Sequence, residues 1–382
     1  MPPVAGLTGS ESAGVGAPLR VLRISHSAVV TAWRQREREL RMSEVDLTLL
    51  SAAQWEEGGS LVRFDPAGDD FARAVRTFGR HPNRFVYDPR PLWRELGSKW
   101  DLVDLHEEPF GLAVAEVLVL RWLRRRRVPF VVYSAQNLYK RYPPPFRWLE
   151  RWSLRRAAGA YTCNEDAARI LRRKGLDAPA VVIPLGIDID RYEPAVRAAP
   201  GETLKVGFVG RLIPHKGADV LLRAVALDDR LSAEIVGSGP DSARLADLVH
   251  ELGLAARVSL CGHVDEEETP AVYRRFDALA VPSVPTPGWV EQFGRVVVEA
   301  QASGVPVVAS RSGALPEVVG DAGILVEPGD PVALCRGLVR LLDEPGRWAE
   351  ARAGGLAAST RCSWSRVAAD QLRLYRSAVT SG

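Results

Sequence analysis

The chain has 382 residues, with 50 Lys and Arg against 47 Asp and Glu and a formal net charge of +3. That length exceeds the roughly 250–300 residues at which one core stops growing, so two domains are expected. A hydrophobic share of 46% with 25% charged residues excludes a mainly disordered chain, and so small a charge, with no stripe of alternating basic and aromatic residues, excludes nucleic acid as an expected partner.

Residues 1–18 are rich in Gly, Ala, Ser and Pro and lack both a basic start and an apolar centre, so they read as a flexible tail and not a signal peptide. Short Val- and Ile-rich runs then alternate with helical patterns. Leu19–Ser25, the amphipathic Thr31–Met42 and Val45–Leu50 open as strand, helix and strand. Leu102–His106, a helix over Gly111–Arg126, Pro129–Ser134, a helix over Phe146–Ala157, Ala160–Cys163, a helix over Asp166–Lys174 and Val181–Pro184 continue the alternation, which predicts a parallel, doubly wound sheet. Phe110–Leu123 is interrupted by Glu116 and Arg121, so no run reaches the ~20 apolar residues of a membrane span.

A Pro- and charge-containing linker over Asp188–Thr203 leads to a second series. It holds strands at Leu204–Gly210, Ala233–Val236, Val258–Cys261, Ala278–Val281, Pro306–Ala309 and Ile324–Val326, with helices at Ser242–Leu252, Arg295–Ser303 and from Pro331 onward. Two successive α/β units predict two facing Rossmann-like domains, 19–190 and 191–363, with ligands in the cleft between them. The cysteines at 163, 261, 335 and 362 are far apart and form no C-x-x-C pair, so a reducing, cytoplasmic setting is expected, with neither a disulfide framework nor a zinc site.

The most informative stretch runs from Val290 to Ala309. Glu291 precedes the start of a helix expected just after Phe293-Gly294, and Glu299 lies two turns inside it, roughly 12 Å away at ~1.5 Å per residue. That separation suits the two ends of a nucleotide sugar whose diphosphate lies over the helix N-terminus; the alternative is a helix with a solvated acidic face. With the Pro-rich approach Ser283–Gly288 and the buried strand that follows, the segment resembles family 4 glycosyltransferases of the GT-B fold, whose E-x7-E signature has this context. The resemblance extends from about Leu19 to Tyr375 and is firmest over Leu204–Glu327.

Gly210-Arg211 and His215-Lys216-Gly217 form a basic loop after a strand, suited to placing two cations on a diphosphate. Only five of the 50 basic residues are lysines, which makes Lys216 notable. The resemblance implies that Arg211 and Lys216 contact the donor diphosphate without a bound metal or other cofactor. It further implies that Glu291 orients the donor sugar, that Phe293, Gly294 and Arg295 adjoin it through the helix start, and that Glu299 holds the ribose. Gly237 and Gly239, in a strand-to-helix turn, and Val264 would adjoin the nucleotide. His106 ends a strand at the carboxyl edge in an H-E-E-P run and so points toward the cleft, and the resemblance implies that it lies near the reacting sugar; His26 and Ser27 are candidates for the acceptor side or a phosphate. One departure stands out: most family members carry a glycine-rich loop after the first strand, whereas this chain reads Ile24-Ser25-His26-Ser27-Ala28.

The resemblance implies transfer of a sugar from a nucleoside diphosphate sugar, UDP before GDP, to a hydroxyl-bearing acceptor with retention of configuration. It also implies that the helix opened by Ser363-Trp364-Ser365, 364–382, packs back on the first domain. Two other readings stay open. One is another GT-B enzyme, such as an epimerase or a phosphorylase. The other is a non-catalytic membrane or polyanion binder, for which Arg121–Arg127 and the Trp148, Trp152, Arg155, Arg156 cluster supply basic and aromatic residues; the same residues would give an enzyme a peripheral contact with an anionic membrane.

Overall fold

The computed structural model describes residues 17–57, 60–79, 81–194 and 198–381; most of the expected tail, residues 1–16, lies outside the described residues. The first sheet contains β1 (Leu19–Ile24), β2 (Val45–Ala52), β3 (Ala72–Val75), β4 (Leu102–Leu105), β5 (Phe130–Ser134), β6 (Gly159–Thr162) and β7 (Ala180–Val182). Every pairing is parallel, in the order β7-β6-β5-β4-β1-β2-β3. The second sheet contains β8 (Leu204–Val209), β9 (Leu231–Val236), β10 (Val258–Gly262), β11 (Ala278–Val281), β12 (Val307–Ser310) and β13 (Ile324–Val326). It too is parallel, in the order β10-β9-β8-β11-β12-β13.

Parallel strands covered on both faces need continuous apolar runs, which β4, β11 and β12 supply with every residue buried. β1 is more demanding, because Arg23 is fully buried within it. Its Nε lies 2.5 Å from Glu37 Oε1, and its Nη1 meets Asp104 of β4. Asp104 also accepts from the hydroxyls of Tyr161 and Tyr375. A buried charge persists only when paired in this way.

The Trp364–Ser381 helix carries Tyr375 and packs Val367, Ala368 and Leu374 against Val21, Leu47 and Val131 of the first sheet. Strand order reverses around β1 in the first sheet and around β8 in the second, so the loops leaving these strands open onto the crevices where α/β sheets bind ligands.

Three local features differ from expectation. Thr31–Met42 is not one helix: 3-10 turns occupy His26–Val29 and Thr31–Arg34, and the α-helix spans only Gln35–Met42. The buried Arg34 guanidinium ties this segment to Asp69 at 2.8 Å and to Pro66 O at 3.2 Å. The helix expected over Gly111–Arg126 ends at Leu123, shortly before Arg125 turns to a left-handed φ of 54°. Strand β3, the hairpin pairing Gln54–Glu57 with Ser60–Arg63, and the hairpin pairing Thr77–Phe78 with Val86–Tyr87 were not anticipated.

Candidate active site

β8 and β9 end side by side and their loops pack backbone against backbone. Gly210 N donates to Val236 O at 3.0 Å, and Leu212 N to Ser238 O at 2.9 Å. A Cβ on Gly237 would stand 1.8 Å from Gly210 O, so only glycine admits this approach. The result is a groove of about 700 Å3 lined by Gly210, Arg211, Gly237, Gly239, His263 and Val264, with Ser60 of the first domain at its margin. The Arg211 side chain is exposed here.

Lys216 ends a 3-10 turn, Pro214–Lys216, and its Nζ lies 2.7 Å from Glu291 Oε2, which also accepts from Ser283 Oγ at 3.1 Å. Lys216 Nζ stands 5.1 Å from the centre of a Trp289 ring, a cation–π distance. The first domain fixes the Glu291 segment through two asparagines: Asn137 Nδ2 donates to Glu291 O at 2.7 Å, and Asn164 Nδ2 to Gln292 O at 2.8 Å. The helix after it starts at Arg295, preceded by Gly294 with φ 85°. Phe293 is buried in the second domain's core. Inside that helix Glu299 is buried, accepts from Tyr273 Oη at 2.8 Å and has Arg295 Nε 3.8 Å away. Burial raises its pKa above the ordinary carboxylate value.

Across the cleft lies a cavity of about 310 Å3, with His26, Ser27, Arg36, His106, Glu108 and Arg295 among its lining residues. His106 N donates to Ile24 O at 2.9 Å, and its ring stacks on Tyr133 with centres 4.0 Å apart. Its Nδ1 lies 2.8 Å from Tyr161 Oη, which spends its one proton on Asp104 at 2.9 Å. Nδ1 must therefore carry the imidazole hydrogen, leaving Nε2 as the acceptor nitrogen. Burial, then the Arg23 and Arg36 guanidiniums, hold the His106 pKa well below its ordinary value, so the ring is neutral.

His26 is fixed by Glu107, which accepts from His26 N at 2.7 Å, lies 2.6 Å from His26 Nδ1 and accepts from Tyr87 Oη at 2.7 Å. Trp55 and Phe85 flank the imidazole. Where a glycine-rich loop was missing from the sequence, the chain thus builds a compact turn seated on an acid and two aromatic rings. Glu108 accepts from Ser134 Oγ at 2.7 Å and Ala135 N at 3.0 Å, and burial pushes its carboxyl up to about 7.

Most of the residues singled out in the sequence therefore fall into three places. Gly210, Arg211, Gly237, Gly239 and Val264 share the groove, and Lys216 and Glu291 pair with each other. His26, Ser27 and His106 share the cavity, joined by Arg295, which was expected on the donor side. Glu299 lines neither. Sequence reasoning missed Asn137, Asn164, Tyr161 and Arg36: they carry no motif, and only the packing of the sheets brings them to the cleft. Among the described residues no cluster of His, Cys, Asp or Glu could hold a metal ion, and no helix is long and apolar enough to cross a membrane.

Residues 191–354 match the family described as glycosyl transferases group 1, and residues 30–191 match glycosyltransferase family 4. A D-inositol 3-phosphate glycosyltransferase of Salinispora tropica is 36% identical over 244 residues, 56% of this chain and 49% of that protein. A 2-deoxystreptamine glucosyltransferase of Streptomyces kanamyceticus is 37% identical over 247 residues, 58% of this chain and 62% of that protein. The chain spans about half the length of the curated relatives it matches. Two solved structures share the fold: a sucrose-phosphate synthase from Thermosynechococcus elongatus (TM-score 0.69, 20% identity, 94% of this chain and 98% of that one) and Anabaena HepE in complex with UDP (TM-score 0.70, 19% identity, 93% and 99%). With two facing parallel α/β domains and both halves matched, the chain belongs to the family 4, group 1 glycosyltransferases of the GT-B fold.

Proposed function

We propose that this protein transfers a sugar from a nucleoside diphosphate sugar, a UDP-sugar first and a GDP-sugar next, to a hydroxyl-bearing acceptor with retention of configuration and without a metal ion. The observation that carries this reading is the adjacency of Lys216 and Glu291 at 2.7 Å beside the Arg211 groove. A diphosphate held by Arg211 and Lys216 leaves its attached sugar within reach of Glu291. The nucleoside then extends along the groove past Gly237, Gly239 and Val264, and Glu299 serves the ribose.

In this scheme the leaving diphosphate departs toward fixed cations and the N-terminus of the Arg295–Ala302 helix, which stabilise its developing charge. His106, neutral and oriented by Tyr161, presents Nε2 as a hydrogen-bond acceptor to a sugar hydroxyl. The acceptor enters from the cavity side, past His26 and Ser27, and attacks on the face the diphosphate leaves, whose oxygen receives its proton. The setting proposed is the cytoplasm.

A peripheral membrane contact is the second part of the proposal. It rests on two exposed rings: Trp122 and Trp148 are 71% and 61% exposed on the Leu112–Leu123 and Phe146–Leu154 helices, whose sequences also carry arginines. The test of the enzymatic reading is incubation with UDP-glucose and GDP-mannose in EDTA, with release of nucleoside diphosphate followed over time. Release from neither, with or without added acceptors, would refute it.

A further inference from the structure

Hydrogen bonds from the first domain converge on the backbone of Glu291 and Gln292, beside the carboxylate that faces Lys216. Glu291 O accepts from Ala314 N at 2.9 Å within its own domain and from Asn137 Nδ2 at 2.7 Å across the cleft. Gly313, with φ 55°, stands behind it, where a Cβ would lie 2.1 Å from the same oxygen. Gln292 O accepts from Asn164 Nδ2 at 2.8 Å and has Cys163 Sγ 3.6 Å away. A third tie starts one residue later: Glu165 N donates at 2.9 Å to Glu317 Oε2, on the second domain's Leu315–Val319 helix.

Neither asparagine can reverse its amide. A carbonyl only accepts, so each side-chain nitrogen must face the second domain, and Asn164 Oδ1 is engaged as the cap of the Glu165–Arg173 helix, accepting from Ala167 N at 2.8 Å. Both side chains are buried. Asn137 follows β5 on a loop braced to the wall of the His106 cavity. Ala135 N donates to Glu108 Oε1 at 3.0 Å, Gln136 N lies 3.2 Å from Ser134 Oγ, and Gln136 Oε1 accepts from Tyr142 Oη, whose ring stacks on Phe110. The groove of Gly210, Arg211, Gly237 and Gly239 is built from other loops, so the asparagines act on the Glu291 segment and not on the nucleotide's surroundings.

Resting on the glycosyl-transfer reading, we propose that Asn137 and Asn164 are positioning residues. By holding the Glu291–Gln292 backbone to the first domain, they set the Glu291 carboxylate against the donor sugar when the cleft is closed and tie the sugar's orientation to the domain that supplies His106.

The experiment combines Asn137→Ala and Asn164→Asp with Glu291→Gln in double-mutant cycles on the full chain. The readouts are nucleotide release from UDP-glucose and GDP-mannose, calorimetric UDP affinity, melting temperature and hydrogen exchange of the amides in 288–294. Asn164→Asp keeps the helix cap but turns an oxygen toward Gln292 O, and Asn164→Ser, which keeps the cap with a shorter reach, takes its place if the aspartate variant melts early. Each asparagine variant should lose ~100-fold in turnover, the scale of a ~1 Å misplacement, with UDP affinity near that of the parent. In the Glu291→Gln background the same substitutions should cost less than about threefold, because residues that act through one group are not additive. Equal losses in both backgrounds, unchanged turnover, or a fall in UDP affinity that matches the fall in turnover would overturn the proposal. Nucleotide release from neither donor by the parent would refute the glycosyl-transfer reading instead. The hold on Glu291 is then read from exchange at 288–294, which should rise in both asparagine variants; unchanged exchange would overturn it.

Discussion

Lys216 Nζ lies 2.7 Å from Glu291 Oε2, which joins a loop leaving β8 to the segment just before the Arg295–Ala302 helix. Removing the negative partner should free the cation for the diphosphate. Glu291→Gln should therefore keep or improve affinity for UDP, while turnover falls ~100-fold because the donor sugar loses its orientation. Lys216→Met should weaken UDP, since an ammonium on phosphate is a charge-assisted contact. Calorimetry with initial rates on both variants separates the two roles, and equal loss of UDP affinity in both would contradict them.

Glu299 and Tyr273 form a buried pair at 2.8 Å, so the ribose role can be distinguished from a purely structural one. Glu299→Gln should weaken UDP by roughly 1.5–3 kcal/mol, the range for a lost hydrogen bond to a charged group. Tyr273→Phe should lower the melting temperature and leave UDP affinity near that of the parent. A Glu299→Gln variant that melts early yet binds UDP normally would reduce Glu299 to a strut for Tyr273.

Burial lifts Glu108 from 4.5 to about 7. Its folded pKa lies above its unfolded one, so between these values the folded chain holds the extra proton. The stability this gives is fully present below pH 4.5 and is lost as pH rises through about 7. Wild type should therefore lose on the order of 2–3 kcal/mol relative to Glu108→Gln between pH 4.5 and 8, at ~1.4 kcal/mol for each tenfold difference in proton affinity between the folded and unfolded chains. Denaturant melts of both proteins across that range test this, and parallel curves would show that Glu108 titrates normally. His106 acts with the opposite sign. Its folded pKa is depressed, so the unfolded chain takes the proton first and stability falls as pH drops below its ordinary value of 6.5.

The basic segment Arg121–Arg127 is not uniformly free to meet a membrane. Arg124 donates to Trp93 O through Nε and Nη2 and lies 4.2 Å over the Trp93 ring, and Arg126 Nη2 donates to Gly97 O. Arg124 and Arg126 therefore brace the Pro89–Glu95 helix region. Trp122→Ser with Trp148→Ser should weaken sedimentation with phosphatidylserine vesicles by several-fold and leave donor hydrolysis unchanged, because these rings supply apolar area to the interface. Absence of vesicle binding in the parent protein would remove the membrane surface from the account.

The sheets were legible because parallel strands buried on both faces leave unbroken apolar runs, as in Val103, Leu279 and Val308. β3 was not, since Ala72–Val75 is an edge strand of four residues with two exposed positions. Thr31–Met42 has helical periodicity, yet the pattern cannot reveal that Arg34 is buried against Asp69. Within the site, Gly237 and Glu291 sit in recognisable local motifs. The pairing of Glu291 with Lys216, and of His106 with Tyr161, joins residues 75 and 55 positions apart and depends on how the strands are ordered.

The most direct test of the glycosyl-transfer account is the rate of UDP release from UDP-glucose in EDTA, measured for the parent chain and for Arg211→Ala with inositol and glucose phosphates as acceptors. The parent should release UDP and form a glycosylated product of retained configuration, and Arg211→Ala should lose about 100-fold in rate, the scale for removal of one preorganised charge stabiliser. Release that requires added magnesium or manganese, a product of inverted configuration, or a rate indifferent to Arg211→Ala would contradict it.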